Sequence, residues 1–89
     1  MTEHVLKTWP QYFKEIKAGN KVHELRIMDR DYKVGDILVL QEYDPVTEKF
    51  SGDYVHAEIT YITDQKQQCA FFQKAMNPNF GILSIKVLN

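Results

Sequence analysis

Three formal charges stand close together in Gly19-Asn20-Lys21-Val22-His23-Glu24-Leu25-Arg26. The stretch from 22 to 28 reads with a period of two, the signature of a strand. His23, Leu25 and Ile27 share one face, and Val22, Glu24, Arg26 and Met28 share the other. Glu24 and Arg26 then project side by side, about 6–7 Å apart. Lys21, at the loop-to-strand junction, can swing over them. A carboxylate between two cations keeps all three charged and leaves donors free for an anion, a carbonyl or a base edge. The plain alternative is a solvated Glu–Arg pair, commonly worth under about 1 kcal/mol, and spacing alone favours it. Val22 and Met28 weigh the other way. Charges interleaved with apolar groups describe a half-buried wall, where an unpaired charge is costly. If the three residues line a cleft, Lys21 and Arg26 can be cut back to Ala with little loss of stability, because the core is untouched.

Other chemistries lack their residues. His4, His23, His56 and Cys69 are scattered, with no two at metal-ligand spacing, so no metal site is expected. There is no G-x-S-x-G, no G-x-G-x-x-G and no P-loop, which removes the basis for a hydrolase elbow, a dinucleotide fold or a nucleoside triphosphatase. No cofactor is expected. Cys69 is the single cysteine, which excludes an internal disulfide and a four-ligand zinc site; a buried structural thiol is the better reading. Eleven Lys and Arg against twelve Asp and Glu give a net charge of −1. That argues against a long groove tracking many phosphates and for a ligand with a small footprint. Residues 1–33 carry the positive excess, with seven basic and five acidic groups, and residues 34–89 carry four and seven.

The 89 residues allow one domain, over 1–89, and too little interior for a large cavity. A ligand therefore belongs in a surface cleft. With 44% apolar residues the chain is an ordinary globular sequence. No apolar run approaches the roughly 18 residues of a membrane span, and Met1-Thr2-Glu3-His4 lacks the character of a signal peptide. A soluble, cytoplasmic protein is expected.

The elements that must position the charges follow from periodicity. His4 to Lys7 predicts a first strand. Thr8-Trp9-Pro10-Gln11 predicts a helix start, with Thr8 and Gln11 as a capping box and Pro10 in the first turn. The helix runs over 9–18, turns Trp9, Phe13 and Ile16 inward and ends at Gly19. After the strand over 22–28, Val34-Gly35-Asp36 is a turn. Ile37 to Leu40, apolar on both faces, predicts a central strand. Residues 44–52 read as a long hairpin connection, followed by a strand in which Val55, Ala57, Ile59 and Tyr61 alternate. Residues 69–76 fit helix or loop, and Asn77-Pro78-Asn79 breaks the chain. Phe80 to Leu88 is a closing strand with Leu83, Ile85 and Val87 alternating. Leu38, Leu40, Ile59 and Ile85 are expected in the core. One early helix and about five strands describe a small α+β barrel.

Three stretches together carry a family resemblance. They are His4-x-Leu6-Lys7-x-Trp9-Pro10-x-Tyr12-Phe13, Gly19-x-Lys21-x-x-Glu24-x-Arg26, and Asp29-Arg30-Asp31-Tyr32-x-Val34-Gly35-Asp36-Ile37-Leu38-x-Leu40-x-Glu42-Tyr43-Asp44-Pro45. The sequence resembles a short, largely bacterial and phage branch of the ASCH superfamily (activating signal cointegrator homology), much of it counted among domains of unknown function. The resemblance spans residues 4–62 and, loosely, 80–88. It implies a PUA-like, mainly antiparallel β-barrel with one early helix. It also implies binding of RNA, a nucleotide or a modified nucleoside, with Lys21, Glu24 and Arg26 in the cleft, Lys7 as their neighbour and residues 29–33 as a rim. Tyr32, Tyr43, Phe50 and Tyr54 are stacking candidates, each at least as readily explained by packing.

Some small ASCH proteins hydrolyse an N-acylated cytidine, with a Lys where this chain has Lys21 but a nucleophilic Thr where it has Glu24. Without that hydroxyl, covalent catalysis is not available in the same form. An RNA- or nucleotide-binding module is therefore the preferred reading. The alternative is a hydrolase of a modified nucleoside in which Lys21 and Glu24 act and the carboxylate serves as general base on water.

Overall fold

Each stretch with a period of two becomes a strand in the computed structural model, which describes residues 2–64 and 79–88. The elements are β1 (Glu3–Thr8), α1 (Pro10–Lys17), β2 (His23–Ile27), β3 (Ile37–Asp44), β4 (Lys49–Thr63) and β5 (Phe80–Val87). They build one five-stranded sheet in the order β1-β3-β4-β5-β2. β1 runs parallel to β3, and the other three pairings are antiparallel. β4 is long enough to pair along one part with β3 and along the other with β5. Register shifts at Gln41/Tyr43 and Ile59/Tyr61 bend it. The sheet curls into a half-barrel whose two edges, β1 and β2, are its first and last strands. Cys69 and the stretch 69–76 lie outside the described residues. No helix among the described residues is long and apolar enough to cross a membrane.

Leu38, Leu40, Ile59 and Ile85 are buried as expected, together with Phe13 and Ile16 from α1. Helix α1 packs against β3. Its C-terminal end is closed by Gly19 at φ 84°, with Gly19 N–H donating to Ile16 O and Asn20 N–H to Glu15 O. At Gly81 a Cβ would stand 2.6 Å from Met28 Sδ, so the bare backbone lets Met28 lie across β5.

Three expectations are corrected. Trp9 does not face the core: it is 46% exposed. It precedes Pro10, whose ring drives the preceding residue into extended backbone, and Trp9 accordingly has φ −65° and ψ 149°. That takes it off the helical face shared by Phe13 and Ile16. Thr8 does not cap the helix either. It is the last residue of β1, Trp9 is the N-cap, and no side chain among the described residues bonds the first turn. The β3–β4 connection is also shorter than 44–52. Asp44 Oδ1 accepts from Val46 N–H at 2.8 Å, and Glu48 takes the left-handed conformation at φ 57°, so the chain turns within 45–48. Phe50 already pairs with Tyr43.

The Val34-Gly35-Asp36 turn fastens β1 to the sheet. Asp36 is buried, and His4 Nε2 lies 2.9 Å from its Oδ2. Thr2 N–H and Lys33 N–H donate to the same carboxylate. Burial alone would raise the Asp36 pKa, but the hydrogen bonds from His4, Thr2 and Lys33 outweigh it and hold the carboxyl below its ordinary value. Folding therefore favours the ionised form. That stabilisation is complete above about pH 3.9 and is lost as pH falls through the lower folded value. Urea midpoints measured from about pH 6 down to about pH 2 should drop most steeply below about pH 4. Asp36→Asn should flatten that limb, and an unchanged limb would show that another group causes it.

Candidate functional site

Because the half-barrel does not close, the edges β1 and β2 leave a seam. A cleft of about 480 Å³ opens there, lined by Lys7 and Thr8 of β1, Trp9 and Tyr12 at the start of α1, Lys21, and His23 to Arg26 of β2. Small-molecule sites span about 300–1,000 Å³. All four residues expected at the site, Lys7, Lys21, Glu24 and Arg26, border this one cleft.

β2 turns its charged face inward. Glu24 is 4% exposed, while Leu25 and Ile27 on the other face are more than half exposed. The buried carboxylate is held from two sides. Lys21 Nζ donates to Oε1 at 3.1 Å. Arg26 Nε donates to Oε2 at 3.0 Å, and its Nη2 lies 2.9 Å from the same oxygen. Both cations also reach strand-edge carbonyls. Arg26 Nη2 donates to Lys7 O at 2.7 Å across the seam, and Lys21 Nζ donates to His23 O. The side chains that could receive a ligand thus also cap the exposed edges of the sheet. Arg26 Nη1 has no hydrogen-bond partner among the described residues.

Lys7 contributes differently from the other three. Its carbonyl belongs to the seam, while its ammonium sits 4.5 Å from the centre of the Tyr43 ring. Residues 29–33 do not line the cleft. Tyr32 is buried against the His4 ring at 4.7 Å, and burial pushes its phenol up, with Arg30 and Arg26 opposing. Tyr43 and Phe50 pack on each other, and Tyr54 packs on His56. None of the four stacking candidates is in the cleft.

Its aromatic wall is Trp9 and Tyr12, whose rings lie 19° from parallel with centroids 6.2 Å apart, both about half exposed. Neither Trp9, expected in the core, nor Tyr12 is among the four residues expected at the site. The Trp-Pro dipeptide was the available signal, since it forces Trp9 out of the helix. Thr8 was also missed as a site residue. It is buried in the cleft wall, and its Oγ1 has no hydrogen-bond partner among the described residues. Among the described residues no cluster of His, Cys, Asp and Glu is suited to hold a metal ion.

A family model described as a domain of unknown function (DUF3850) matches residues 3–85. The chain belongs to the DUF3850 family. It is also similar to an uncharacterized 12.9 kDa protein in the GpA 3' region of Escherichia phage P2, with 41% identity over 61 residues. That alignment covers 68% of this chain and 54% of the phage protein, so the chain spans about half the length of the relative it matches. The DUF3850 match takes in every residue of the cleft.

Proposed function

We propose that the cleft binds a nucleotide, a modified base or the end of a short single-stranded RNA, on a PUA-like barrel of the ASCH type working in the cytoplasm. The observation that carries this reading is the Lys21–Glu24–Arg26 cluster set beside the paired Trp9 and Tyr12 rings. Splayed bases are recognised by aromatic faces together with Arg or Lys donors. The cleft offers both in a volume suited to one nucleotide. Hydrolysis is supported less well. Both oxygens of Glu24 already accept from cations, so a water would have to displace one of them, and the Thr8 hydroxyl has no acceptor among the described residues that would activate it.

Trp9 is the single tryptophan and lines the cleft, so its fluorescence reports occupancy directly. Titration with mononucleotides and short RNA should change Trp9 emission. Lys21→Ala should weaken binding about tenfold or more, as expected for losing a charge-assisted hydrogen bond. It should cost less stability than Arg26→Ala, because Arg26 still holds Glu24 and still bonds Lys7 O across the seam. The logarithm of affinity should fall with that of salt at a slope of about −1 to −2. No response to any mononucleotide or short RNA would overturn the reading, and release of acid and free base from N-acylated nucleosides would favour the hydrolase.

A further inference from the structure

We propose that the cleft seats a terminal phosphate against the Thr8 hydroxyl and the N-terminal end of α1, with Arg26 and Lys21 as counter-charges. This rests on the cleft being a nucleotide site, and it names the part of the ligand that is bound most strongly.

Thr8 is the first observation. The residue lines the cleft, is 3% exposed, and leaves Oγ1 without a hydrogen-bond partner among the described residues. A buried hydroxyl left unpaired is destabilising, whereas a Val of the same shape would not be. Among the described residues nothing uses the hydroxyl, since the capping position belongs to Trp9. The oxygen is itself fully covered, so a ligand oxygen entering the cleft would supply the missing partner once the Thr8 side chain shifts slightly toward the opening.

The second observation is the helix that follows. α1 carries no side-chain cap and no acidic residue in its first turn, while Lys14 and Lys17 sit in its last turn. The last turn is thus compensated, and the positive N-terminal end, bordered by the cleft residues Trp9 and Tyr12, is not. Such an end attracts oxyanions through its dipole; Pro10 brings no N–H and Tyr12 N–H donates to Trp9 O, so the side-chain donors carry the direct contacts.

The charge balance agrees. Lys21 and Arg26 outnumber Glu24 by one, and Arg26 Nη1 has no hydrogen-bond partner among the described residues. A terminal phosphate has three free oxygens, enough to accept from the hydroxyl and from both cations together. A neutral base edge does not offer that number.

The test compares adenosine, adenosine 5′-monophosphate, inorganic phosphate, and a trinucleotide with and without a 5′-phosphate, all read by Trp9 fluorescence on the whole chain. The monophosphate should bind about tenfold or more tightly than adenosine, as should the phosphorylated trinucleotide relative to its 5′-hydroxyl form. Inorganic phosphate should compete with both. Thr8→Val should erase the preference without lowering the melting temperature, because it removes an unpaired buried hydroxyl. Thr8→Ser, which keeps the hydroxyl, should retain the preference, and it provides a second comparison should Val not be accommodated. Equal binding of adenosine and its monophosphate would overturn the phosphate seat while leaving the nucleotide reading intact. So would a Thr8→Val variant that keeps the preference, or a Thr8→Ser variant that loses it. Failure of every compound to bind would overturn both.

Discussion

Arg26→Ala should abolish nucleotide binding, by about a hundredfold or more, and lower the unfolding free energy by about 2–3 kcal/mol. The double effect follows from where the guanidinium sits. It makes two contacts to the buried Glu24 carboxylate and one to Lys7 O on the opposite edge of the sheet. Removing it leaves Glu24 inside the wall with Lys21 as its remaining cation, and unties β1 from β2. A charge left under-compensated in a buried site costs more than the pair contributes when intact. The cost stays below that of a fully buried pair because the Arg26 side chain is 24% exposed. The sequence reading expects little loss of stability on truncating Arg26 if it lines a cleft; the contact to Lys7 O argues for a larger cost. Urea denaturation of Lys21→Ala and Arg26→Ala side by side is the check. Equal stability of the two variants would show that the seam contact carries no weight.

Leu40→Ala and Phe13→Ala should each cost about 2–5 kcal/mol, the range for deleting a large buried side chain and leaving a cavity. Leu40 is fully buried in β3, next to both β1 and β4, and Phe13 is, with Ile16, one of two α1 side chains set in the same core. A domain of this size has a total stability near the low end of about 5–15 kcal/mol. Either truncation should therefore bring the chain close to half-unfolded under mild conditions. Circular dichroism melts would show it. Wild-type midpoints in both variants would mean that β3 and α1 do not share this core.

Local spacing was enough for much of this protein. The alternation of Val55, Ala57 and Ile59 marks a strand with one buried face, and the same period puts Glu24 and Arg26 side by side on β2. Gly19 follows a run with helical period and adopts the left-handed conformation that closes it. Lys21, Glu24 and Arg26 were legible as a group because their contacts span two or three residues, a range that backbone geometry governs directly.

The rest depended on partners far away in the chain. Hydrophobicity along β2 does not by itself decide between the face of Glu24 and Arg26 and the face of Leu25 and Ile27. The fold turns them out, because Glu24 and Arg26 find their partners on the inner side, at Lys21 and at a carbonyl 19 residues back. The parallel pairing of β1 with β3 joins residues more than thirty positions apart and leaves β1 and β2 as facing edges. That pairing opens the cleft between Thr8 and Arg26, and no local pattern encodes it. Thr8 shows the difference most clearly. As a sequence signal it was a helix cap, since Ser and Thr before a helix usually are. The tertiary structure instead keeps it in β1, opposite Glu42, and Pro10 sets the helix start one residue later. A hydroxyl one residue too early to reach the first turn loses its capping role, and long-range strand pairing holds it in the wall of the cleft.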